Sequence, residues 1–276
     1  MDVLQEKIRK VKNPSMVELT LLPQQLPQGV SYGEFCREML AALKGIVPAV
    51  RFSFDHFALT DDLALLKQLL QEAREAGYFV ALDGPQVLSA TAAEFAAQKL
   101  AQDYGYDALI LSPYIGSDGM KPFVQLCKDQ GKMLFFAVRT ANKSALELQD
   151  LLTGSRHVYT AAADVLTRFA EGVLDRSGYS RIGLLASAGS ATSLMELRSK
   201  YKRLFMLVDG LDTPSGNAKN ASLAFDRLGH GAVVCAGTGI TCAWQEAQTD
   251  GSDYIQQAVA AAQRMQKNLL RYFDIV

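Results

Sequence analysis

The sequence predicts an α/β fold, a (β/α)8 barrel forming one domain over residues 1–276, and three observations carry that prediction. Short apolar runs rich in Val, Ile, Leu and Phe alternate with amphipathic stretches of ten or more residues from one end of the chain to the other, the pattern of repeated βα units. The runs lack polar alternation, as expected of parallel strands buried on both faces. There are eight such runs, which suits closure into a barrel, with a doubly wound open sheet as the structural alternative.

In order, a short amphipathic helix precedes the first strand, read at 16–21 (MVELTL), and a helix follows at 32–45. Strand two is 48–53 (PAVRFS) with a helix over 60–76, and strand three is 78–82 (YFVAL) with a helix over 90–103. Strand four, 107–112 (DALILS), leads to a helix over 118–130, and strand five, 133–138 (MLFFAV), to a long helical region over 143–175. Strands six to eight are 181–186 (RIGLLA), 204–208 (LFMLV) and 231–235 (GAVVC), with helices at 190–201, 217–228 and 252–273. In the last helix Ile255, Val259, Ala262, Met265 and Leu269 recur at three- and four-residue steps, one apolar stripe for the sheet.

Composition narrows the function. With 28 basic and 29 acidic side chains the net charge is −1, and a pI near 6.3 leaves no basic footprint for nucleic acid. The cysteines Cys36, Cys127, Cys235 and Cys242 form no CxxC pair, and His56, His157 and His230 stand far from them, so neither a zinc site nor a disulfide framework is expected. No apolar run suits a signal or membrane span, which predicts a reducing cytoplasm. AGTG and SAGSATS do not make a GxGxxG fingerprint, so no nicotinamide cofactor is expected.

In a barrel, chemistry belongs to the loops after the strands. Strand two runs into Arg51, Ser53, Asp55 and His56, strand three ends at Asp83 in LDGPQ, and strand seven leads to DGLDTPSGN. Strands four and five are followed by SPYIGSDGMKPF and RTANKSALELQD. These two strings resemble the PYxGxDxxxPF and RTSNxxAxxxQD motifs of the longer bacterial orotidine 5′-phosphate decarboxylases, in the same order. The resemblance covers most of the chain: NPSMVELTLLPQQLP is similar to the first-strand motif ending in GLDP, AVRFSFDHF to the second-strand motif, and ALDGPQVLSATAAEFA to DxKxxDIxxTAxxYA. VDGLDTPSGN is similar to PGxGAQGG and AGTGITCAW to SSRGIIYA. It implies a cofactor-free decarboxylase barrel, working as a homodimer with active sites shared across the interface.

The resemblance also implies an Asp-Lys-Asp-Lys network, and this sequence departs from it. Thr20 stands at the first aspartate, Arg51 at the first lysine and Pro85 at the proton-donating lysine, while Asp83 matches. At the phosphate end Thr238 replaces the arginine of SSRG and Pro214 the glutamine of GAQGG, Ala141 replaces the serine of RTSN, and Asp209 and Asp212 flank the site, where they would repel a phosphate. The candidate site is therefore Asp83 as the surviving catalytic group, with Arg51, Thr91, Asn142, Asp209, Ser215, Gly216 and Thr238 binding a ligand. Backbone N–H groups around Ser215, Gly216 and Gly239 could present an anion nest. Each residue has a plainer role beside this one. Arg51 and Asp83 could simply satisfy each other, His56 could be structural or interfacial, Asp118 and Asn142 could cap helices, and Arg139 could pair with a carboxylate inside the barrel.

Three functions follow: a diverged barrel that binds a small molecule or regulates without decarboxylating orotidylate; an active decarboxylase forming UMP and CO2 in pyrimidine synthesis; or a different enzyme using Asp83, Arg51 and Asp209 on an unphosphorylated ligand. The almost uncharged segment VLSATAAEFAA predicts a two-fold dimer in which Leu88 or Thr91 touches the partner.

Overall fold

The computed structural model describes residues 1–276. Eight parallel strands close on themselves in chain order: β1 (Ser15–Glu18), β2 (Ala49–Ser53), β3 (Phe79–Asp83), β4 (Ala108–Leu111), β5 (Met133–Ala137), β6 (Ser180–Ser187), β7 (Leu204–Asp209) and β8 (Ala232–Ala236). Strand β1 pairs with both β2 and β8, so no edge remains, and the predicted (β/α)8 barrel is the fold. Every predicted run overlaps its strand, with ends displaced by no more than three residues.

Strand residues point alternately inward and outward. One set, including Met16, Ala49, Phe79, Ala81, Phe135, Leu185, Phe205, Leu207 and Cys235, fills the barrel interior, and helix α1 (Asp2–Val11) adds Met1, Leu4 and Ile8 to it. The opposite set packs against the surrounding helices α2 (Tyr32–Ala42), α3 (Phe54–Leu59), α4 (Leu63–Glu75), α5 (Ala90–Asp103), α6 (Ser117–Gln130), α7 (Val158–Ala170), α8 (Ala191–Lys200), α9 (Ala218–Ser222), α10 (Thr238–Thr241), α11 (Ala243–Glu246) and α12 (Tyr254–Leu269). Ser31, Asp62, Ser89, Ser190 and Asn217 cap their helices by accepting from backbone N–H groups one turn on, which sets where those helices begin.

Five expectations need correcting. The region 143–175 is not one helix: a 3-10 turn at Lys143–Glu147 leads to a small hairpin, Leu152–Thr153 with Arg156–His157, before α7. Gly154, at φ 66, makes the hairpin turn that interrupts the helical pattern. The helix predicted over 217–228 stops at Ser222, and the one predicted over 60–76 is preceded by the separate α3, which holds His56. Helix α6 is capped at Gly116, not by Asp118, which is exposed in the first turn beside Lys121. The buried stripe of α12 is Tyr254, Ala258, Ala261, Ala262, Met265 and Leu269, with Ile255 and Val259 at its margin.

Candidate active site

The inward-facing ends of β1, β2, β3, β7 and β8 bring one guanidinium and three carboxylates together. Glu18 and Arg51 are opposite each other in the β1–β2 register, and Asp83 lies one inward step further along β3. Arg51 Nε donates to both carboxylate oxygens of Asp83, at 2.9 and 3.1 Å. Its Nη1 lies 3.2 Å from Asp209 Oδ2, 3.5 Å from Glu18 Oε2 and 3.8 Å from the thiol of Cys235. The structure thus brings together Arg51, Asp83 and Asp209 from the predicted set.

Burial sets the protonation of this group. Arg51 is 8% exposed, and although burial works against its charge, Asp83, Asp209 and Glu18 outweigh it and hold the guanidinium well above its ordinary pKa. Burial pushes Glu18 up to about 7; Arg51 opposes the rise, and the neighbouring Asp83 and Asp209 add to it. Burial also raises Asp83 despite its bond to Arg51, and keeps Cys235 a neutral thiol. Glu18, Asp209 and Cys235 lie close enough to share a cation, but Arg51 already places a positive charge among them.

Glu18 is the residue that sequence reading missed. Strand β1 ends at Glu18, two residues before Thr20, so the carboxylate facing Arg51 comes from within the run MVELTL and not from the Thr20 position. It is the one charged side chain in that run, and that was the available signal.

Above the ion cluster opens a cleft of about 310 Å³, lined by Arg51, Ser53, Asp55, Asp83, Gln86, Tyr114, Thr140, Gln149 and Asp209 among others, with no lysine in its wall. Asp55 accepts from the backbone N–H of Gln86 at 3.3 Å and ties down the Gly84–Gln86 turn. Gly84 sits tightly in that turn: a Cβ there would come within 2.7 Å of the Leu111 side chain, which would have to move aside. Gln149 Oε1 accepts from the Thr140 backbone N–H at 2.8 Å, and Arg139 is held by Asp150 at 2.9 Å, a carboxylate from the segment after β5 and not from the barrel interior. His56 packs its ring 4.6 Å from that of Tyr32, as a structural histidine does.

The other predicted ligand residues do not line this cleft. Thr91 is exposed in the first turn of α5. Asn142 is exposed and reaches the cleft only through Thr140, whose hydroxyl donates to it; it makes no side-chain cap. Ser215 and Gly216 belong to the loop after β7, and Thr238 opens α10 after β8. The nest expected there is already occupied from within. The N–H of Gly216 donates to Thr213 O at 2.9 Å, and that of Gly239 to the Asp212 carboxylate at 2.9 Å.

This geometry can be set beside known proteins. No protein-family model matches the chain. An orotidine 5′-phosphate decarboxylase of Rhodopirellula baltica is 31% identical over 267 residues, covering 88% of each chain. The chain belongs to the orotidine 5′-phosphate decarboxylase family. A decarboxylase of Clostridium novyi is 26% identical over 98% of each chain. Among solved structures, a putative orotidine-monophosphate decarboxylase from Toxoplasma gondii superposes with a TM-score of 0.81 at 18% identity, covering 98% of this chain and 97% of its own. The UMP synthase of Leishmania donovani gives 0.78 at 23% identity, with this chain matching 56% of its length. For orotidine 5′-phosphate decarboxylase relatives at such identities the barrel is the shared feature, and function rests on the residues at the mouth.

Proposed function

We propose that this orotidine 5′-phosphate decarboxylase homologue does not decarboxylate orotidylate and instead binds a small unphosphorylated ligand at the barrel mouth, in a binding or regulatory role. The engagement of Arg51 carries this reading. It is the only cationic side chain lining the cleft, it is bonded to Asp83 and paired with Asp209, and its carboxylate neighbours hold it protonated. General acid catalysis needs a group within reach that can give up a proton. A guanidinium so held cannot, and Pro85 stands where the family's lysine would be. Asp55, Asp83 and Asp209 in the wall outnumber Arg51 and favour a neutral or cationic ligand over a dianion.

The exposed, apolar Leu88 and Phe95, 96% and 70% accessible on the loop after β3 and on α5, support a two-fold homodimer through this face. The four buried, unpaired thiols agree with a reducing cytoplasm. No helix is long and apolar enough to cross a membrane.

A steady-state assay with orotidylate is the test, and the expected result is no release of CO2 above the uncatalysed rate. Robust turnover restores the second reading, an active decarboxylase forming UMP, which the name carried by the R. baltica relative favours. Titration with uridylate and with nucleosides or other unphosphorylated ligands then shows which class the cleft accepts.

A further inference from the structure

One carboxylate at the barrel mouth lies outside the Arg51 cluster and is used in a different way. Asp212, in the loop after β7, turns back over the end of β8, where its Oδ2 accepts the backbone N–H groups of Gly237 and Gly239, both at 2.9 Å. The surrounding chain is fitted to this contact. A Cβ at position 239 would come within 2.7 Å of the Asp212 Cβ, so the approach depends on glycine there. The loop bearing Asp212 is closed as tightly: a Cβ on Gly216 would fall 2.1 Å from the carbonyl oxygen of Gly210. The contact also adjoins the Arg51 cluster, because a Cβ on Gly237 would lie 3.8 Å from Glu18 Oε2.

Two backbone N–H groups converging on one oxygen make a seat for an anion. Here the chain supplies the anion itself. We infer that Asp212 is a specificity-determining residue: its carboxylate fills the seat at Gly237 and Gly239, so that the mouth rejects phosphate esters and accepts ligands lacking a phosphate. The inference rests on the unphosphorylated-ligand reading above and names the residue that enforces it. Two effects act together. The donors are already satisfied, so an incoming phosphate gains their hydrogen bonds only by displacing Asp212. The displaced carboxylate, with Asp209 and Glu18 nearby, would then repel the phosphate. Selectivity by a built-in repulsive group is a general device for excluding one ligand class.

The experiment is calorimetric titration of inorganic phosphate, and separately of uridylate, into the wild type, Asp212→Ala, Asp212→Asn and the control Asp118→Ala. Asp118 is exposed on α6 and pairs with Lys121 at 3.8 Å, so its removal changes net charge by the same amount without touching the Asp212 contact. The expected result is no saturable binding at millimolar phosphate by the wild type or the control. Asp212→Ala, which vacates the seat, gains saturable binding, tighter by at least about tenfold. Asp212→Asn, which keeps an acceptor oxygen and loses the charge, falls between; if the alanine variant does not fold, the asparagine variant decides. Wild-type phosphate binding as tight as the variants', folded Asp212 variants with no gain, or an equal gain in the control would each overturn the inference. Absence of gain together with absence of orotidylate turnover removes this inference alone, whereas wild-type turnover removes the functional reading beneath it.

Discussion

Arg51 Nε is 2.9 and 3.1 Å from the two carboxylate oxygens of Asp83, and Nη1 of the same guanidinium is 3.2 Å from Asp209. One cation therefore joins β2 to β3 and, across the mouth of the barrel, to β7. Because Arg51 is almost fully buried, this is an interior ion cluster whose members depend on one another and not a solvated surface pair.

Arg51→Met leaves Asp83, Asp209 and Glu18 facing one another without a counter-charge. Breaking a buried pair by removing one partner costs about 3–5 kcal/mol, and that is the loss expected in urea unfolding at pH 8. The loss shrinks toward pH 5, where the raised carboxyls take up protons, and Asp83→Asn added to the same chain recovers part of it. Equal stability of Arg51→Met and wild type at pH 8 would show that the cluster is not the linchpin described.

Glu18 makes stability fall with pH. Its folded pKa is raised from 4.5 to about 7, so the folded state holds the proton more tightly than the unfolded chain. The contribution is fully present below about 4.5 and is lost as pH rises through about 7, amounting to at most about 3 kcal/mol. Glu18→Gln removes this slope, and the difference in unfolding free energy between the variant and wild type should grow in the variant's favour from pH 5 to 8. Parallel profiles would mean that Glu18 titrates elsewhere.

Under the proposed function, Pro85→Lys alone does not confer decarboxylation of orotidylate. A lysine added to the Gly84–Gln86 turn meets a cleft in which Asp83 is already bonded to Arg51, so the carboxylate that would position it is engaged. Turnover of orotidylate by this single variant, measured as CO2 release, would contradict the argument.

In the proposed two-fold dimer, Leu88→Asp shifts the protein toward monomer. The side chain is 96% exposed beside the cleft, and a charge at the centre of an apolar contact is left desolvated and unpaired. Sedimentation velocity at micromolar concentration reads the change; a wild type that is already monomeric removes the dimer.

Gly216→Ala destabilises without touching the ion cluster. Its Cβ would fall 2.1 Å from Gly210 O and 2.6 Å from Leu211 O, so the backbone after β7 must move. Overpacking of this kind costs about 1–3 kcal/mol. Thermal unfolding beside Gly172→Ala, where the nearest neighbouring atom is 3.9 Å from the Cβ position, separates this strain from the general effect of replacing a glycine.

The barrel was legible because its signal is repeated: eight apolar runs recur, and an error at the end of one strand does not disturb the other seven. Errors arose where one residue decides. Gly154 turns a helical-looking stretch into a hairpin, and ending β1 at Glu18 instead of Leu21 changes which side chain faces Arg51. Arg51, Asp83 and Asp209 were found because each stands at the end of a well-marked strand. The bonds from Gly237 and Gly239 to Asp212 were not, because they join two loops 25 and 27 residues apart and no local pattern encodes which N–H a distant carboxylate will reach.

The shared use of Arg51 makes a lysine-based site hard to reach from this sequence one substitution at a time. A lysine at 51 would replace the planar fork bonded to Asp83 with a single ammonium, leaving Asp209 or Glu18 less well neutralised. A lysine at 85 arrives while Asp83 is engaged. Neutralising Asp209 first would strip Arg51 of one of its partners. Substitution at 51 or 209 alone thus leaves a carboxylate or the guanidinium short of a partner and costs stability unless the others change with it. The cluster acts as an epistatic lock, in which the charge at any one of positions 51, 83 and 209 can change without loss of stability only together with the others.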